Sequence, residues 1–197
     1  MHGPDPAAIS SQAPAVRPDE HELRRRLLGT LIDHFDVTEE VWLRHPLHCL
    51  DLRIDVVAVP RPPLDRRFPF PLLGVEIKTD RDELRHVTHA YKQCLDYKQC
   101  VVNDKRLRNL RGLWLPCVAL YRGRQTPRWP DETSDPWEAF AVRLAGKFNV
   151  GVLEHGYRGA LELRVCDERI WSTRSGVSDA RTAWPAARLI ANSNRRT

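Results

Sequence analysis

The sequence predicts an α/β fold in which a mixed central sheet is flanked by helices, and three observations support this prediction. Apolar residues recur at helical spacing between residues 23 and 31, which is the pattern of an amphipathic helix. Residues 51–59 carry the alternation of a half-buried strand. Residues 72–79 form a short apolar segment that carries two charges, Glu76 and Lys78. Helical and strand patterns therefore alternate along a chain of 197 residues, a length that suits one domain.

The predicted elements follow one another in a simple order. Residues 1–17, rich in Pro, Ala and Ser, predict a disordered leader. The single domain, residues 18–172, begins with a helix and three strands, over 19–35, 41–44, 51–59 and 72–79. The domain continues with a second helix, capped by Asp80 or Asp82 and ending near Val102, and with a strand over 112–121. It ends with a loop over 122–136, a C-terminal helix over 137–148 and a β-hairpin formed by 150–154 and 160–166. Residues 173–197 are expected to be a tail.

The composition is that of a soluble globular protein, with 42% hydrophobic and 29% charged residues. No apolar run approaches the ~18 residues that span a bilayer, and the N-terminus lacks the apolar core of a secretory signal. The five cysteines form no Cys-x-x-Cys pair, which favours reduced thiols. We therefore expect a cytoplasmic protein that does not bind a membrane.

Positive charge is concentrated in one stretch of the chain. The net charge is +5, whereas residues 98–128 hold eight Lys or Arg residues and a single acidic residue. A local basic block favours a polyanionic partner such as nucleic acid, although a solvated surface would explain it equally well. The candidate phosphate contacts in this block are Lys105, Arg106, Arg108 and Arg111.

Two of the predicted strands carry acidic residues that are expected to meet. Alternation places Ile54 and Val56 on one face of the strand 51–59 and Asp55 on the other. A buried carboxylate without a partner is costly, so Asp55 should meet a cation, a metal ion or hydrogen-bond donors. The proline-rich connection to the next strand favours antiparallel neighbours, which would bring Asp55 close to Glu76.

The third predicted strand combines a carboxylate with a lysine. Glu76 and Lys78 share one strand face, and an ion pair on a solvated face would explain them alone. Only five of the 31 basic residues are Lys, however, and this strand uses one of them. Lys offers a compact charge where Arg offers a planar fork, which suits an ammonium that must lie beside a water molecule and a phosphate.

These residues match the requirements of phosphodiester hydrolysis. Mg²⁺ prefers hard oxygen ligands and needs only one or two carboxylates, which Asp55 and Glu76 would supply together with the carbonyl oxygen of Ile77. Such an ion lowers the pKa of a bound water molecule. Lys78 would orient that water molecule or stabilise developing negative charge.

The order helix, three strands, helix, strand, with Asp55 on the second strand and Glu76-Ile77-Lys78 on the third, resembles the core of the PD-(D/E)xK nuclease superfamily. The resemblance covers about half of the chain. Residues 93–97, Gln-Cys-Leu-Asp-Tyr, are similar to the Gln-x-x-x-Tyr motif of the RecB-like members. Ile54 stands where the family name has Pro, which puts only the subfamily in doubt.

The resemblance implies a restriction-endonuclease-like αβββαβ core and a metal-dependent nuclease that acts on DNA with Mg²⁺ or Mn²⁺. It implies that Gln93 and Tyr97 flank the metal site and contact the substrate. Glu20 is similar in position to the first-helix Glu of Holliday-junction resolvases and would join Asp55, Glu76 and Lys78 in catalysis. A homodimer or a larger protein complex is compatible with these expectations.

Three alternatives remain open. The same fold could bind nucleic acid or form a structural complex without turnover. Glu20 could serve only the positive end of its helix. His45, His48 and Cys49 could contribute to a structural zinc site, although they lack the usual paired ligand spacing.

Overall fold

The computed structural model describes residues 19–79, 84–125, 136–166 and 168–177. The predicted leader, the helix caps Asp80 and Asp82 and residues 178–197 of the predicted tail lie outside this range. Within it, no helix combines the length and apolar character needed to cross a membrane.

The described residues form an α/β fold built on one mixed sheet, which confirms the predicted class. The helices are α1 (Glu20–Leu31), α2 (Leu84–Lys98) and α3 (Pro136–Lys147), with short 3-10 segments at Leu64–Arg66, Lys105–Leu110 and Tyr157–Gly159. The strands are β1 (Phe35–Arg44), β2 (Asp51–Pro60), β3 (Leu73–Ile77), β4 (Val101–Val102), β5 (Val118–Gln125), β6 (Val150–His155), β7 (Leu161–Val165), β8 (Glu168–Ser172) and β9 (Gly176–Val177).

The nine strands lie in the order β4-β1-β2-β3-β5-β6-β7-β8-β9. The β3–β5 and β5–β6 pairs are parallel, and the other pairs are antiparallel. Leu23, Leu27 and Leu31 of α1 pack into one buried cluster on the sheet. Helices α2 and α3 contribute to a second cluster. Helices therefore cover both faces of the sheet, and β6 and β7 form the predicted C-terminal hairpin.

The boundary between α1 and β1 differs from the prediction. Phe35 follows Leu31 at helical spacing, so the apolar stripe extends the predicted helix to residue 35. In the structure α1 ends at Leu31, and Phe35 opens β1 opposite Pro60 of β2. The Phe35 side chain is fully buried in the same cluster as Leu31. The Phe35 side chain can be buried from a strand as well as from a helix, and its pairing with β2 is what places Phe35 in a strand.

The segments around the basic block also differ from the prediction. Helix α2 ends at Lys98, and Val102, which the sequence places in that helix, pairs with Leu43 of β1. Val102 is fully buried there, and β-branched residues are favoured in strands. The strand predicted over 112–121 begins only at Val118 and continues into the predicted loop. At the other end, β9 pairs with β8 beyond the predicted domain end at residue 172.

The face alternation of β2 breaks at Asp55, contrary to the prediction. Ile54 packs in the cluster under α2, whereas Val56 packs in the cluster under α1. Glu40 lies opposite Asp55 in the β1–β2 register and has a left-handed backbone with φ of 53°. This conformation is uncommon for residues with a side chain and interrupts the extended ladder. In the part of the β1–β2 hairpin beyond Glu40 and Asp55, the strand face that carries Ile54 therefore packs toward α2, whereas Val56 packs toward α1.

Candidate active site

Asp55 and Glu76 come together on neighbouring antiparallel strands. The register pairs Val56 of β2 with Val75 of β3, which brings Asp55 and Glu76 to adjacent positions. Oδ2 of Asp55 accepts a hydrogen bond from the backbone N–H of Ile77 at 2.8 Å. Its Oδ1 accepts one from Nη2 of Arg24 on α1 at 3.0 Å. The structure thus supplies Asp55 with both donors and a cation, as its burial requires.

Glu76 is the most deeply buried carboxylate of this site, with only 3% of its side chain exposed. Its Oε1 lies 2.6 Å from Nζ of Lys78, and its Oε2 has no hydrogen-bond partner within the described residues. Burial raises the pKa of Glu76 to about 7; the negative charge of Asp55 adds to this effect, and Lys78 opposes it. The Glu76 carboxyl group is therefore more easily protonated than an ordinary Glu, and one of its oxygen atoms lacks a hydrogen-bond partner within the described residues.

Lys78 keeps its positive charge in this setting. Burial lowers its pKa, but the hydrogen bond from Lys78 to Glu76 and the charges of Glu76, Asp55 and Glu20 outweigh burial and raise the pKa overall. The side chain is 35% exposed, so the ammonium group lies at the border between the buried carboxylate and solvent. A ligand entering from solvent would meet the ammonium group before it reached Glu76.

A cleft of about 430 Å³ opens at Lys78. It is lined by residues from α1, from the end of β3, from α2 and from β5: Glu20, Lys78, His86, His89, Gln93 and Arg122 among them. Three polar side chains of α2, His86, His89 and Gln93, therefore face this cleft. Glu20, at the first turn of α1, lines the cleft together with Lys78.

Gln93 and Tyr97 form a connected pair on α2. Nε2 of Gln93 donates to the Tyr97 hydroxyl at 2.6 Å, and the hydroxyl donates to the backbone carbonyl of Arg53 at 2.9 Å. Tyr97 is buried, and burial together with the negative charge of Glu76 raises its pKa. Gln93 thus lines the cleft, whereas Tyr97 ties α2 to β2 two residues before Asp55.

The predicted basic residues fall into two groups. Arg106 is held by Asp104, with Nε and Nη2 at 3.0 and 2.8 Å from its two carboxylate oxygens, and it also donates to the carbonyl of Glu40 at 2.6 Å. Lys105, Arg108 and Arg111 are exposed, and none of the three forms an ion pair with another described residue. Of the four predicted phosphate contacts, these three therefore offer cations that are open to a phosphate.

Sequence reasoning missed two arginines of the site. Arg24 bridges Asp55 and Glu40, at 3.0 and 2.8 Å. Arg122 falls in the predicted loop, but in the structure it belongs to β5 and is buried beside the cleft. Since Ile77 pairs with Tyr121 in parallel, Lys78, which directly follows β3, lies beside Arg122, the next residue of β5. The apolar run that ends at Tyr121 was the available signal for Arg122.

Metal-ligand geometry gives a limited result. Among the described residues, no group of three or more His, Cys, Asp and Glu side chains is placed to hold a metal ion. The predicted ligands are Asp55, Glu76 and the backbone carbonyl of Ile77. This set contains only two such side chains, so it falls below the three that define such a group. The alternative at residues 45–49 gains no support, because His45 Nδ1 accepts from the His48 N–H and Cys49 is a free, exposed thiol.

Comparison with protein-family models, with curated proteins and with solved structures finds no match to this chain.

Proposed function

We propose that this protein is a divalent-cation-dependent nuclease that hydrolyses phosphodiester bonds in DNA on a restriction-endonuclease-like core. The order α1, β1, β2, β3, α2, β5 supports the proposed core, with the two-residue-long β4 as an addition at the sheet edge. The site lies at the carboxyl end of β3 and beside the middle of β5, where residues of α1 and α2 also line the cleft.

One observation carries the proposal: a buried carboxylate oxygen of Glu76 lacks a partner beside a second carboxylate. An uncompensated buried acceptor costs free energy, and Glu76 responds with a pKa of about 7. A bound cation would supply the missing partner and would favour the ionised form. An ordinary surface ion pair between Glu76 and Lys78 would not leave one oxygen buried and unpaired.

The residues present fit Mg²⁺ or Mn²⁺. Asp55, Glu76 and the Ile77 carbonyl would hold the ion through hard oxygen atoms, and each carboxylate oxygen can accept more than one partner. A bound ion supplies a water molecule of lowered pKa and neutralises charge on a phosphate.

The chain's own residues supply the remaining requirements. Lys78 stays protonated and can donate to a phosphoryl oxygen from the edge of the cleft. Arg122 of β5 brings a second positive charge to the cleft, where the two cations together would stabilise negative charge that develops on the phosphate. Gln93 and Glu20, on opposite helices of the cleft, can orient the substrate and water.

A non-catalytic nucleic-acid-binding or complex-forming protein on the same fold is the second candidate. One observation favours it: Arg24 already balances the charge of Asp55 without a metal ion. A permanent ion pair at this position would be structural and would exclude a divalent ion. The two candidates therefore differ in whether the site binds a divalent ion and in turnover.

The deciding experiment incubates the protein with labelled linear, circular, nicked, branched and single-stranded DNA in Mg²⁺ or Mn²⁺. Asp55→Asn and Glu76→Gln should each abolish cleavage and weaken Mn²⁺ binding measured by calorimetry, with unchanged circular dichroism. Asp51→Asn is the matched control, since Asp51 also lies on β2 but pairs with Arg44 at the surface. Cation-dependent cleavage that survives both site substitutions would refute the proposal, and a protein that neither binds Mn²⁺ nor cleaves would support the second candidate.

A further inference from the structure

Two tryptophans are exposed near the edge of the sheet where the basic block lies. Trp42 of β1 is 51% exposed, and Trp114, in the segment before β5, is 45% exposed. Indole rings carry a large apolar surface, and most tryptophans are largely buried for that reason. Neither ring belongs to the two buried clusters of the core.

The register places both rings on one face of the sheet. Trp114 lies opposite Val101 of β4, and Val101 lies opposite Arg44 of β1, two residues from Trp42. The alternate residues of the same segments, such as Leu43 and Val102, pack under α2. Two strand spacings and two residues separate the rings, so their Cα atoms are about 12 Å apart. We call Trp42, Arg44, Arg53, Val101 and Trp114 the Trp42–Trp114 face.

Polar contacts fix this face and close the edge of β1. The backbone N–H of Trp42 donates to Oδ2 of Asp104, and its carbonyl accepts from the N–H of Asn103. Asp104 also caps the 3-10 segment Lys105–Leu110 through the N–H of Arg106. The backbone of Trp42 therefore has no groups left for an added strand, and the exposed ring is what this position offers to a partner.

The surroundings of the face are positively charged. The exposed cations Lys105, Arg108 and Arg111 lie one, four and seven residues after Asp104. Nη2 of Arg111 lies 3.5 Å from Oδ1 of Asn103, the residue hydrogen-bonded to Trp42. Arg44 and Arg53 lie on the face itself, paired with Asp51 and Glu40. Aromatic rings among cations match a polyanion that carries flat apolar groups. Protein interfaces, by contrast, are depleted of charge at their centres.

We propose that the Trp42–Trp114 face binds single-stranded DNA, with bases stacked on the two indole rings and phosphates held by Lys105, Arg108 and Arg111. A single strand fits because its bases are open to stacking, whereas a duplex offers only its phosphates and groove edges. Arg53 of this face lies two residues, or about 7 Å, from Asp55 along β2. The inference rests on the proposed function and deepens it, because it names the single-stranded class of substrate that would reach the cleft.

The test measures binding of the protein to three labelled DNAs by fluorescence anisotropy: a 20-nucleotide oligothymidine, a 20-base-pair duplex and an abasic 20-mer. Every measurement contains EDTA, so that no cleavage intervenes. Trp42→Ala and Trp114→Ala should each weaken binding of the oligothymidine about 10-fold, since one stacked base is worth about that much. Both should leave binding of the abasic strand unchanged. Trp42→Phe and Trp114→Phe should recover most of the affinity, and Phe148→Ala, which alters an exposed ring directly after α3, should have no effect.

Charge and stacking can be separated in the same assay. Reversal of Lys105, Arg108 and Arg111 to Glu should lower the salt dependence on every strand, whereas the Trp variants should keep the wild-type slope. The inference is overturned if wild type does not prefer the oligothymidine, or if the double Trp→Ala variant binds it within twofold of wild type. It is also overturned if the Trp substitutions abolish self-association and leave DNA affinity intact, which would assign the face to a second copy of the chain.

The two proposals can fail separately. Cation-dependent cleavage that Glu76→Gln abolishes, together with normal DNA binding by the Trp variants, would remove the stacking face alone. Trp-dependent binding of the oligothymidine without cleavage in any divalent ion would remove the nuclease alone.

Discussion

Nη2 of Arg24 lies 3.0 Å from Oδ1 of Asp55, while Nη1 of the same guanidinium lies 2.8 Å from Oε1 of Glu40. Glu40 and Asp55 face each other in the β1–β2 register at the point where the ladder is interrupted. One arginine from α1 thus bridges two carboxylates that would otherwise repel each other, and Arg53 adds a second positive charge at Glu40. A divalent ion at Asp55 would compete with this arginine for the same charge.

We expect Arg24→Gln to raise Mn²⁺ affinity several-fold and to destabilise the metal-free protein by about 1–3 kcal/mol, because a partly buried carboxylate loses its charged partner. Calorimetric titration and urea unfolding with and without Mn²⁺ measure the two effects. Arg25→Gln is the matched control, since Arg25 lies on the same helix and pairs with Glu22 at the surface. A loss of Mn²⁺ affinity in Arg24→Gln would show that Arg24 positions Asp55 for the ion.

The raised pKa of Glu76 predicts a pH dependence of stability. Between the ordinary pKa of 4.5 and about 7, the unfolded chain releases this proton while the folded chain keeps it. The free energy of unfolding should therefore fall as pH rises through this window, by up to about 1.4 kcal/mol per pH unit. Glu76→Gln should remove this component, seen as the difference from wild type in urea unfolding between pH 5 and pH 8. Parallel curves for the two proteins would contradict the raised pKa.

Substitution of the paired residue Arg106 is expected to cost more stability than substitution of the exposed residue Arg108. Arg106→Gln should destabilise the protein by about 1–2 kcal/mol, because Asp104 is 5% exposed and would lose its charged partner. Arg108→Gln should stay within about 0.5 kcal/mol of wild type, as is usual for an exposed residue. Thermal unfolding at fixed salt compares the two variants, and equal losses would show that the Asp104 contact carries little stability.

Some of this site follows from sequence, and some depends on packing that the sequence does not reveal. Asp55 and Glu76 could be placed on neighbouring strands because a two-residue period and a connecting segment fix their relation. Arg24 could not, since it reaches a strand 31 residues away through the docking of a helix on a sheet. Glu40 gave no signal either, because Glu rarely adopts a left-handed backbone. Charge counting found Arg106 and Arg108 alike, while only the structure distinguishes the paired residue from the open one.

Glu20 lines the cleft beside Lys78, while the neighbouring Asp19 caps α1 through the N–H of Glu22. The capping bond is therefore made without Glu20. We expect Glu20→Gln to raise the Mg²⁺ concentration needed for half-maximal cleavage, with a free energy of unfolding that stays close to wild type. Cleavage over a Mg²⁺ series and urea unfolding give the two readouts. A change in stability of up to about 1 kcal/mol with an unchanged Mg²⁺ requirement would assign Glu20 to the helix end.

The sharpest prediction concerns Lys78→Arg, which keeps the charge and changes only its shape. Nζ of Lys78 lies 2.6 Å from Oε1 of Glu76, and Arg122 of the neighbouring strand β5 already lines the same cleft. A guanidinium at position 78, beside that of Arg122, would crowd the space that a phosphate and a water molecule would need in the proposed reaction.

We expect single-turnover cleavage by Lys78→Arg to fall at least about 100-fold, because displacements near 1 Å have such effects on positioned reactions. DNA affinity in EDTA should stay within a few-fold of wild type, since the positive charge is retained. Arg25→Lys, the reverse exchange at a surface ion pair on α1, is the control and should leave both quantities unchanged. If Lys78→Arg cleaves within a few-fold of the wild-type rate, Glu76 and Lys78 are an ordinary strand ion pair and lose their place in the proposed chemistry.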